Sequence, residues 1–185
     1  MPDDIKPQTV TNRAKLTETI GEPKPDIANK EMPSLDAHCR HFISLCPFLC
    51  ISTADAAGNQ DVSPRVDSMT NILENPHVGL RLMLPGVEEI VRINGKATLT
   101  EDPSLLADSA VNGSVPALGI IVQIEDVFFH CAKAVIRSKL WDPETPIQRS
   151  QFPTYGEIVR DQRAPDGDPA DINAELQNDY KTRLY

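Results

Sequence analysis

Residues 89–100, Glu-Ile-Val-Arg-Ile-Asn-Gly-Lys-Ala-Thr-Leu-Thr, decide the fold. Two sets of side chains alternate along this stretch, the first being Ile90, Arg92, Asn94 and Lys96 and the second Val91, Ile93, Gly95 and Ala97. A period of two residues is the repeat of a β-strand, in which successive side chains point to opposite faces of a sheet. The stretch therefore predicts a long strand with Arg92 and Asn94 on one of its faces.

Other segments on both sides of this stretch have the composition of strands separated by turns. The predicted strands are Phe48–Thr53, Gln60–Arg65, Val78–Leu84 and Ala117–Phe129. The first two form a hairpin around a turn at Ala54–Asn59, and Pro85-Gly86 is a turn before the long strand. Five or six antiparallel strands avoid exposed edges by closing on themselves, so we expect a mainly β fold, a barrel decorated with short helices.

Helical patterns lie between the strands and at both ends of the chain. The predicted helices are Val10–Ile20, Leu35–Cys46, Asp67–Glu74, Pro103–Val111, His130–Trp141 and Asp171–Leu184. Ser34 is the expected N-cap of the second helix, whose apolar side consists of Leu35, Cys39, Phe42, Ile43 and Cys46. Prolines and polar residues divide the chain into an N-terminal helix and linker arm (1–33), a central domain (34–141) and a proline-rich C-terminal arm with a terminal helix (142–185).

Charge and hydropathy exclude several classes of partner. The chain of 185 residues has a formal net charge of -9 and a pI near 4.9. It lacks the broad basic surface that non-specific nucleic-acid binding needs, so we expect no nucleic-acid partner. No apolar run approaches the length of a membrane span, and the N-terminus does not resemble a signal peptide. We therefore expect no membrane partner and a cytoplasmic location.

The cysteines indicate reduced structural thiols rather than a metal site. The four cysteines are Cys39, Cys46, Cys50 and Cys131, and they include no Cys-x-x-Cys pair. Cys46 and Cys50 with His38 and His41 do not match the spacing of a common zinc site, so we expect no metal.

The segment His130–Trp141 concentrates positive charge in an acidic chain. At helical spacing one face would hold His130, Lys133, Ala134, Arg137, Ser138 and Trp141. Lysine and arginine bind phosphate and an indole offers a flat apolar surface, so this face predicts a site for a specific anionic ligand. The alternative is an exposed helix whose cations interact with its C-terminal dipole, with Trp141 at the edge of the core.

An ordered set of motifs extends over most of residues 10–141. It consists of Leu35-Asp36-x-His38-x-Arg40-x-Phe42-Ile43, Ser44-x-x-Pro47-Phe48, Asp61-Val62-Ser63-Pro64-Arg65, Asn71-Ile72-x-x-Asn75-Pro76-x-Val78-Gly79-Leu80, Pro85-Gly86, Arg92-x-Asn94-Gly95-x-Ala97 and His130-Cys131-x-Lys133-Ala134-x-x-Arg137-Ser138-x-Leu140-Trp141. With the terminal Arg183-Leu184-Tyr185, the set resembles the pyridoxamine 5'-phosphate oxidase-related FMN-binding split-barrel family, and within it a bacterial branch of FMN-dependent enzymes with no assigned substrate. The Arg-Leu-x-Pro ending of true pyridoxamine phosphate oxidases is absent, so the resemblance does not imply that substrate.

The resemblance implies a six-stranded antiparallel split β-barrel of the FMN-binding type. It implies a homodimer with FMN at each end of the interface and each site built from both subunits. Arg92 and Asn94 would then face the dimer groove, and the alternative is that both face solvent. The activity would be that of an FMN-dependent oxidoreductase acting on an unidentified small molecule, with NAD(P)H as the reductant in some relatives. The preference between FMN and F420 stays open. The alternatives are a non-catalytic flavin or haem carrier or sensing barrel and a cofactor-free dimeric scaffold.

The cofactor-binding residues that the resemblance implies are Ser63, Arg65, Asp67, Ser68, Lys133, Arg137, Ser138 and Trp141, and no catalytic residue stands out. Arg65 would hold phosphate or ribityl oxygens, or else pair with a neighbouring aspartate. Asp67 and Ser68 begin a helix whose backbone N–H groups can take phosphate, although Asp67 can equally be a plain N-cap. Lys133 and Arg137 would compensate the charge of FMN, and Trp141 would shield the ring.

One departure from the family follows Arg65. Relatives usually continue from Ser-Pro-Arg through Gly-Asp, a further strand and a proline-rich turn, whereas Arg65 here is followed directly by Val66-Asp67-Ser68. Either a strand and a phosphate-facing loop are deleted, or residues are missing between Arg65 and Val66 and no peptide bond joins the two. We favour the second alternative, because a barrel that lost an interior strand would expose a sheet edge.

Overall fold

The computed structural model describes residues 9–22, 24, 30–62 and 66–182. Within these residues the chain forms an antiparallel sheet of five strands: β1 (Leu49–Ala54), β2 (Gln60–Val62), β3 (His77–Met83), β4 (Ile90–Thr100) and β5 (Gly119–His130). Their order across the sheet is β2-β1-β3-β4-β5. The predicted strands are confirmed with small shifts at their ends, except that the end of the second falls in residues 63–65, outside the described residues.

The same described residues contain seven α-helices. They are α1 (Arg13–Ile20), α2 (Ala37–Leu45), α3 (Val66–Glu74), α4 (Pro103–Leu106), α5 (Lys133–Ser138), α6 (Tyr155–Arg163) and α7 (Pro169–Thr182). Asp36, rather than the expected Ser34, is the N-cap of α2, since its carboxylate accepts a hydrogen bond of 2.7 Å from the backbone N–H of Cys39. That bond lowers the pKa of Asp36.

The sheet is open, which corrects the closed barrel expected from the sequence. In the described residues β2 and β5 are the two edge strands, and they do not pair with each other. The described residues contain no sixth strand that could join these edges. The strand β2 has only three residues, and the next described element, α3, begins at Val66. The predicted break before Val66 involves Arg65, which lies outside the described residues, so it stays a prediction.

Helices α2 and α3 cover the same face of the sheet. Cys39 and Phe42 of α2 pack against Leu82, Val91, Ile93 and Val127. Ile72 of α3 packs against Ile51, Val78 and Ala97. Burial raises the pKa of the Cys39 thiol, as expected for a structural cysteine. The apolar set of β4 therefore faces the helices, while Arg92, Asn94 and Lys96 project from the other side, as the alternation predicts.

A β-bulge interrupts the pairing of β4 with β5. Asn94 is opposite Asp126 and Gly95 is opposite Ile124, so Glu125 is an extra residue on β5. A Cβ atom at Gly95 would collide with the carbonyl oxygen of Gln123, which explains why glycine stands at this position. The bulge thereby determines where Glu125 and Asp126 lie relative to β4.

Helix α6 lies in the proline-rich C-terminal arm, where the terminal helix is the only helix that the sequence predicts. It begins with a capping box, in which the Thr154 hydroxyl accepts from the backbone N–H of Glu157 (3.2 Å) and the Glu157 carboxylate accepts from the backbone N–H of Thr154 (2.6 Å). The Thr-x-x-Glu pattern was the signal available in the sequence. Helix α6 packs on α7 at Gly156, where a Cβ atom would collide with the carbonyl oxygen of Pro169.

No helix in the described part of the chain combines the length and apolar character needed to cross a bilayer.

Candidate functional site

The face of the sheet that α2 and α3 leave uncovered, here called the open face, carries the polar side chains of the strands. The strand register aligns Ser52, Gly79, Asn94 and Asp126 in one row and Cys50, Arg81, Arg92 and Phe128 in the next. Two adjoining grooves run over these rows. Together they form the candidate site.

The larger groove, here called the arginine groove, has a volume of about 590 Å³. Its lining residues are Cys50, Ser52, Val62, Gly79, Leu80, Arg81, Met83, Arg92 and Asn94. Arg81 and Arg92 are direct cross-strand partners, a position in which like charges repel. Neither forms an ion pair with another described residue. Two uncompensated guanidinium groups beside the apolar Val62 and Met83 suit an anion attached to an apolar ring.

Phe128 holds one of these cations in place. Phe128 belongs to β5 and lies opposite Arg92 in the sheet, and 6% of the residue is exposed. The guanidinium carbon of Arg92 lies 5.2 Å from the ring centroid, and Nζ of Lys30 lies 4.4 Å from the same centroid. Both distances are in the range of cation–π attraction. Lys30 thus adds a third positive charge near the arginine pair, in a chain whose net charge is -9.

The smaller groove, here called the amide groove, has a volume of about 350 Å³. Its lining residues are Ser52, Thr53, Ala54, Gln60, Asn75, His77, Val78, Gly79, Asn94, Gly95 and Glu125. Ser52, Gly79 and Asn94 line both grooves. A Cβ atom at Gly79 would lie 3.0 Å from Oγ of Ser52 and 3.4 Å from Oδ1 of Asn94. The lack of a side chain at Gly79 therefore keeps the two grooves continuous.

The carboxylates of this region already have partners. Nδ2 of Asn94 donates a hydrogen bond of 2.8 Å to Oδ1 of Asp126. Nζ of Lys96 lies 3.1 Å from Oε1 of Glu125. Only the second of these contacts is an ion pair, because the Asn94 amide is neutral. Among the described residues no carboxylate lies within ion-pair distance of Arg81 or Arg92.

The residues predicted at the start of α3 lie away from both grooves. Ser68 is fully buried and its hydroxyl donates to Oδ2 of Asp61 at 2.7 Å, while Asp67 is exposed. Neither lines the arginine groove or the amide groove. Ser63 and Arg65 lie outside the described residues, and their predicted roles stay predictions.

Helix α5 is shorter than the helical spacing of its segment suggests, which corrects the predicted stripe. It ends after Ser138, because Lys139 adopts the left-handed conformation with φ 53°. His130 is the last residue of β5 and Trp141 lies beyond the helix, so neither shares a helical face with Lys133 and Arg137.

The four site residues predicted in this segment are separated from the grooves in the single chain. Lys133, Arg137 and Ser138 are exposed, and neither groove includes them. Trp141 is half-buried, and its indole N–H donates a hydrogen bond of 2.9 Å to the carbonyl of Val87 in the β3–β4 turn. Their roles toward a cofactor stay predictions.

Sequence reasoning missed Arg81, Phe128 and Lys30 as site residues. The alternation of β3 places Arg81 on the same side as Gly79 and Met83, and this signal was available. The position of Arg81 opposite Arg92 could not be predicted from the sequence, because it depends on the register between two strands.

Among the described residues there is no group of three or more His, Cys, Asp or Glu side chains that could hold a metal ion. The four cysteines are free thiols, of which Cys39 is buried and Cys131 is exposed.

Comparisons with known proteins identify structural neighbours of low similarity. No protein-family model matches the chain, and no curated protein matches its sequence. HupZ from Group A Streptococcus is similar over 52% of this chain and 94% of its own, with 14% identity and a TM-score of 0.44. A variant of HupZ matches over 52% of this chain and 100% of its own, with 15% identity and a TM-score of 0.46. General Stress Protein 26 from Bacillus anthracis str. Sterne matches over 49% of this chain and 91% of its own, with 14% identity and a TM-score of 0.37. Because the TM-scores are below 0.5, we base no functional conclusion on these similarities.

Proposed function

We propose that this chain binds FMN and acts as an FMN-dependent oxidoreductase of the pyridoxamine 5'-phosphate oxidase-related class on an unidentified small molecule. The observation that carries the proposal is the uncompensated pair Arg81 and Arg92 in a groove with an apolar wall. FMN joins a phosphate to a flat ring system, so the arginine groove offers a partner for each part. The ordered motifs that resemble the family support the same function.

The residues of the arginine groove would bind and orient the cofactor. The planar guanidinium of Arg92, held against Phe128, can take a phosphate in two parallel hydrogen bonds, and Arg81 adds a second positive charge. Val62 and Met83 offer apolar surface to the ring. When bound, FMN would supply the hydride and electron transfer, while the chain supplies position and electrostatics.

The proposal includes a homodimer in which each site is built from both subunits and a split barrel is completed by a sixth strand. Val62 and Ile121 are apolar side chains of the open face that are 64% and 46% exposed. A second copy packed on this face would bury them and exclude water from both grooves.

The proposal is tested on the purified chain of 185 residues. We expect bound or added FMN to give the flavin absorbance spectrum, at one FMN per chain. Bleaching by NADH or NADPH without oxygen, followed by recovery in air, is the result expected of an oxidoreductase. A flavin that binds but is not reduced contradicts the enzymatic activity and favours a carrier. No binding of added FMN contradicts the proposed function altogether.

A haem carrier or sensor is the second candidate, because each groove contains a side chain of a type that ligates haem iron. Cys50 lines the arginine groove and His77 lines the amide groove. A Soret band on addition of haem, lost in one of the variants Cys50→Ala and His77→Ala, would favour this candidate when no flavin binds.

A further inference from the structure

We infer that the amide groove binds a small neutral molecule that carries hydroxyl or amide groups, next to the anion-binding arginine groove. This inference rests on the proposed function, since it assigns the amide groove to the substrate of the proposed oxidoreductase. Three features carry it: the hydrogen-bonding groups of the lining, the charge balance and the continuity of the two grooves at Gly79.

The lining is rich in primary amides, each of which can both donate and accept hydrogen bonds. The three amides belong to Gln60, Asn75 and Asn94. Asn94 uses Nδ2 to donate to Asp126, which leaves its Oδ1 as an acceptor beside Gly79. Asn75 uses Oδ1 to accept from the backbone N–H of His77 at 3.2 Å, which leaves its Nδ2 as a donor. A ligand hydroxyl or amide can satisfy an acceptor and a donor of this kind together.

The charge balance favours a neutral ligand. The carboxylate of Glu125 is paired with Lys96, and the other side chains of the lining, apart from His77, have no titratable group. In the proposed dimer, where the second copy excludes water from the groove, a charged ligand would lose its hydration without gaining an opposite unpaired charge, which costs free energy. The arginine groove has the opposite preference, because Arg81 and Arg92 lack ionic partners among the described residues. Two adjoining grooves thus differ in the charge of the ligand that they select.

The dimensions limit the ligand to a small molecule. The volume of about 350 Å³ equals that of about twelve water molecules in the liquid. A ligand of this size would have on the order of ten non-hydrogen atoms. Because Gly79 carries no side chain, such a ligand would be in contact with a ring bound in the arginine groove.

Nuclear magnetic resonance of the isotope-labelled chain of 185 residues tests the inference with two probes, erythritol and inorganic phosphate. We expect erythritol to move the amide resonances of Gly79 and Gly95, and phosphate to move the guanidinium resonances of Arg81 and Arg92. Gln60→Leu removes one of the three amides, so it should weaken erythritol binding about fivefold, the loss of one hydrogen bond, and leave phosphate binding unchanged. Arg81→Gln should weaken phosphate binding and leave erythritol binding unchanged. Both positions are exposed, so the fold should tolerate the substitutions.

The outcomes separate this inference from the proposed function. If phosphate binds and erythritol leaves Gly95 unmoved, the inference is overturned and the FMN site stands. Tighter binding of acetate or ethylenediamine than of erythritol in the amide groove would overturn the charge argument, and the inference with it. If erythritol binds but phosphate does not, the FMN site is overturned, while the selectivity of the amide groove is supported.

Discussion

Removing both arginines of the arginine groove should weaken FMN binding far more than removing two cations of α5. The test compares the double variant Arg81→Gln/Arg92→Gln with the double variant Lys133→Gln/Arg137→Gln. Each removes two positive charges from the chain, so the change in net charge is matched. The comparison therefore separates local contacts from the overall field of the protein.

The expected magnitude follows from the surroundings of the two arginines. Arg92 is half-buried and held against Phe128, so its charge-assisted hydrogen bonds to a phosphate should contribute about 1.5–3 kcal/mol. Arg81 is exposed, and solvent reduces the contribution of such a pair to about 0.5–1 kcal/mol. The sum of about 2–4 kcal/mol corresponds to a rise in Kd of roughly 30-fold to 1,000-fold. Lys133 and Arg137 are exposed and line neither groove. Exposed charges that make no direct contact are weakened by solvent and salt at physiological ionic strength, so their loss should change Kd less than about threefold.

Titration of the quenching of FMN fluorescence measures both Kd values at physiological ionic strength. Thermal unfolding followed by circular dichroism is the control for folding. Arg81→Gln/Arg92→Gln should change Tm little, because it removes a cross-strand repulsion together with the contact between Arg92 and Phe128. An equal or larger loss of affinity in Lys133→Gln/Arg137→Gln would refute the reasoning. It would place the phosphate at α5, where the sequence pattern alone predicts it.

Three further predictions concern stability. Gly95→Ala should lower the free energy of unfolding by about 3 kcal/mol, because the new Cβ atom meets a backbone oxygen. Gly79→Ala, whose new Cβ atom meets only side-chain atoms, should lower it by less than about 1 kcal/mol. Urea denaturation measures both free energies, and equal losses would contradict the account of the bulge. Thr154→Ala should cost α6 about 1 kcal/mol, seen as faster amide hydrogen exchange in that helix, whereas Glu157→Gln should preserve the capping box and show little change. The pKa of Asp36 is lowered in the folded chain, so its carboxylate stabilises the fold above the ordinary value of 3.8 and this contribution is lost as the pH falls through the lower folded value. The asparagine in the variant Asp36→Asn can still cap α2 but does not titrate, so the free energy of unfolding of the variant should fall less on acidification than that of the unsubstituted chain. The same dependence on pH in both proteins would contradict the role of this cap.

Local patterns in the sequence were sufficient for most of the secondary structure. The alternation along residues 89–100 predicts β4 and the side chains that share its open face, because a period of two is a property of the strand alone. The apolar spacing of α2 likewise predicts the burial of Cys39 and Phe42. The wrong N-cap has a physical reason: Ser34 and Asp36 are both good capping residues, and the path of the chain into the helix selects between them.

Helix α5 shows where a local pattern is misleading. The helical spacing from His130 to Trp141 has meaning only if the helix extends over all of these residues. Pairing with Ile90 of β4 keeps His130 in β5, and the left-handed Lys139 ends the helix before Trp141. The hydrogen bonds that extend β5 come from residues far away in the chain, so the spacing within the segment could not reveal them.

By itself the sequence determined the type and approximate position of most elements, the two faces of β4 and a set of motifs that resembles an FMN-binding family. Only the tertiary structure decided that Arg81 lies opposite Arg92, that Phe128 and Lys30 accompany them, and that the described strands leave the sheet open between β2 and β5. The physical reason is that periodicity follows from the backbone geometry of one element, whereas register depends on hydrogen bonds and packing between elements. A shift of one residue in that register would move either arginine to the opposite face of the sheet.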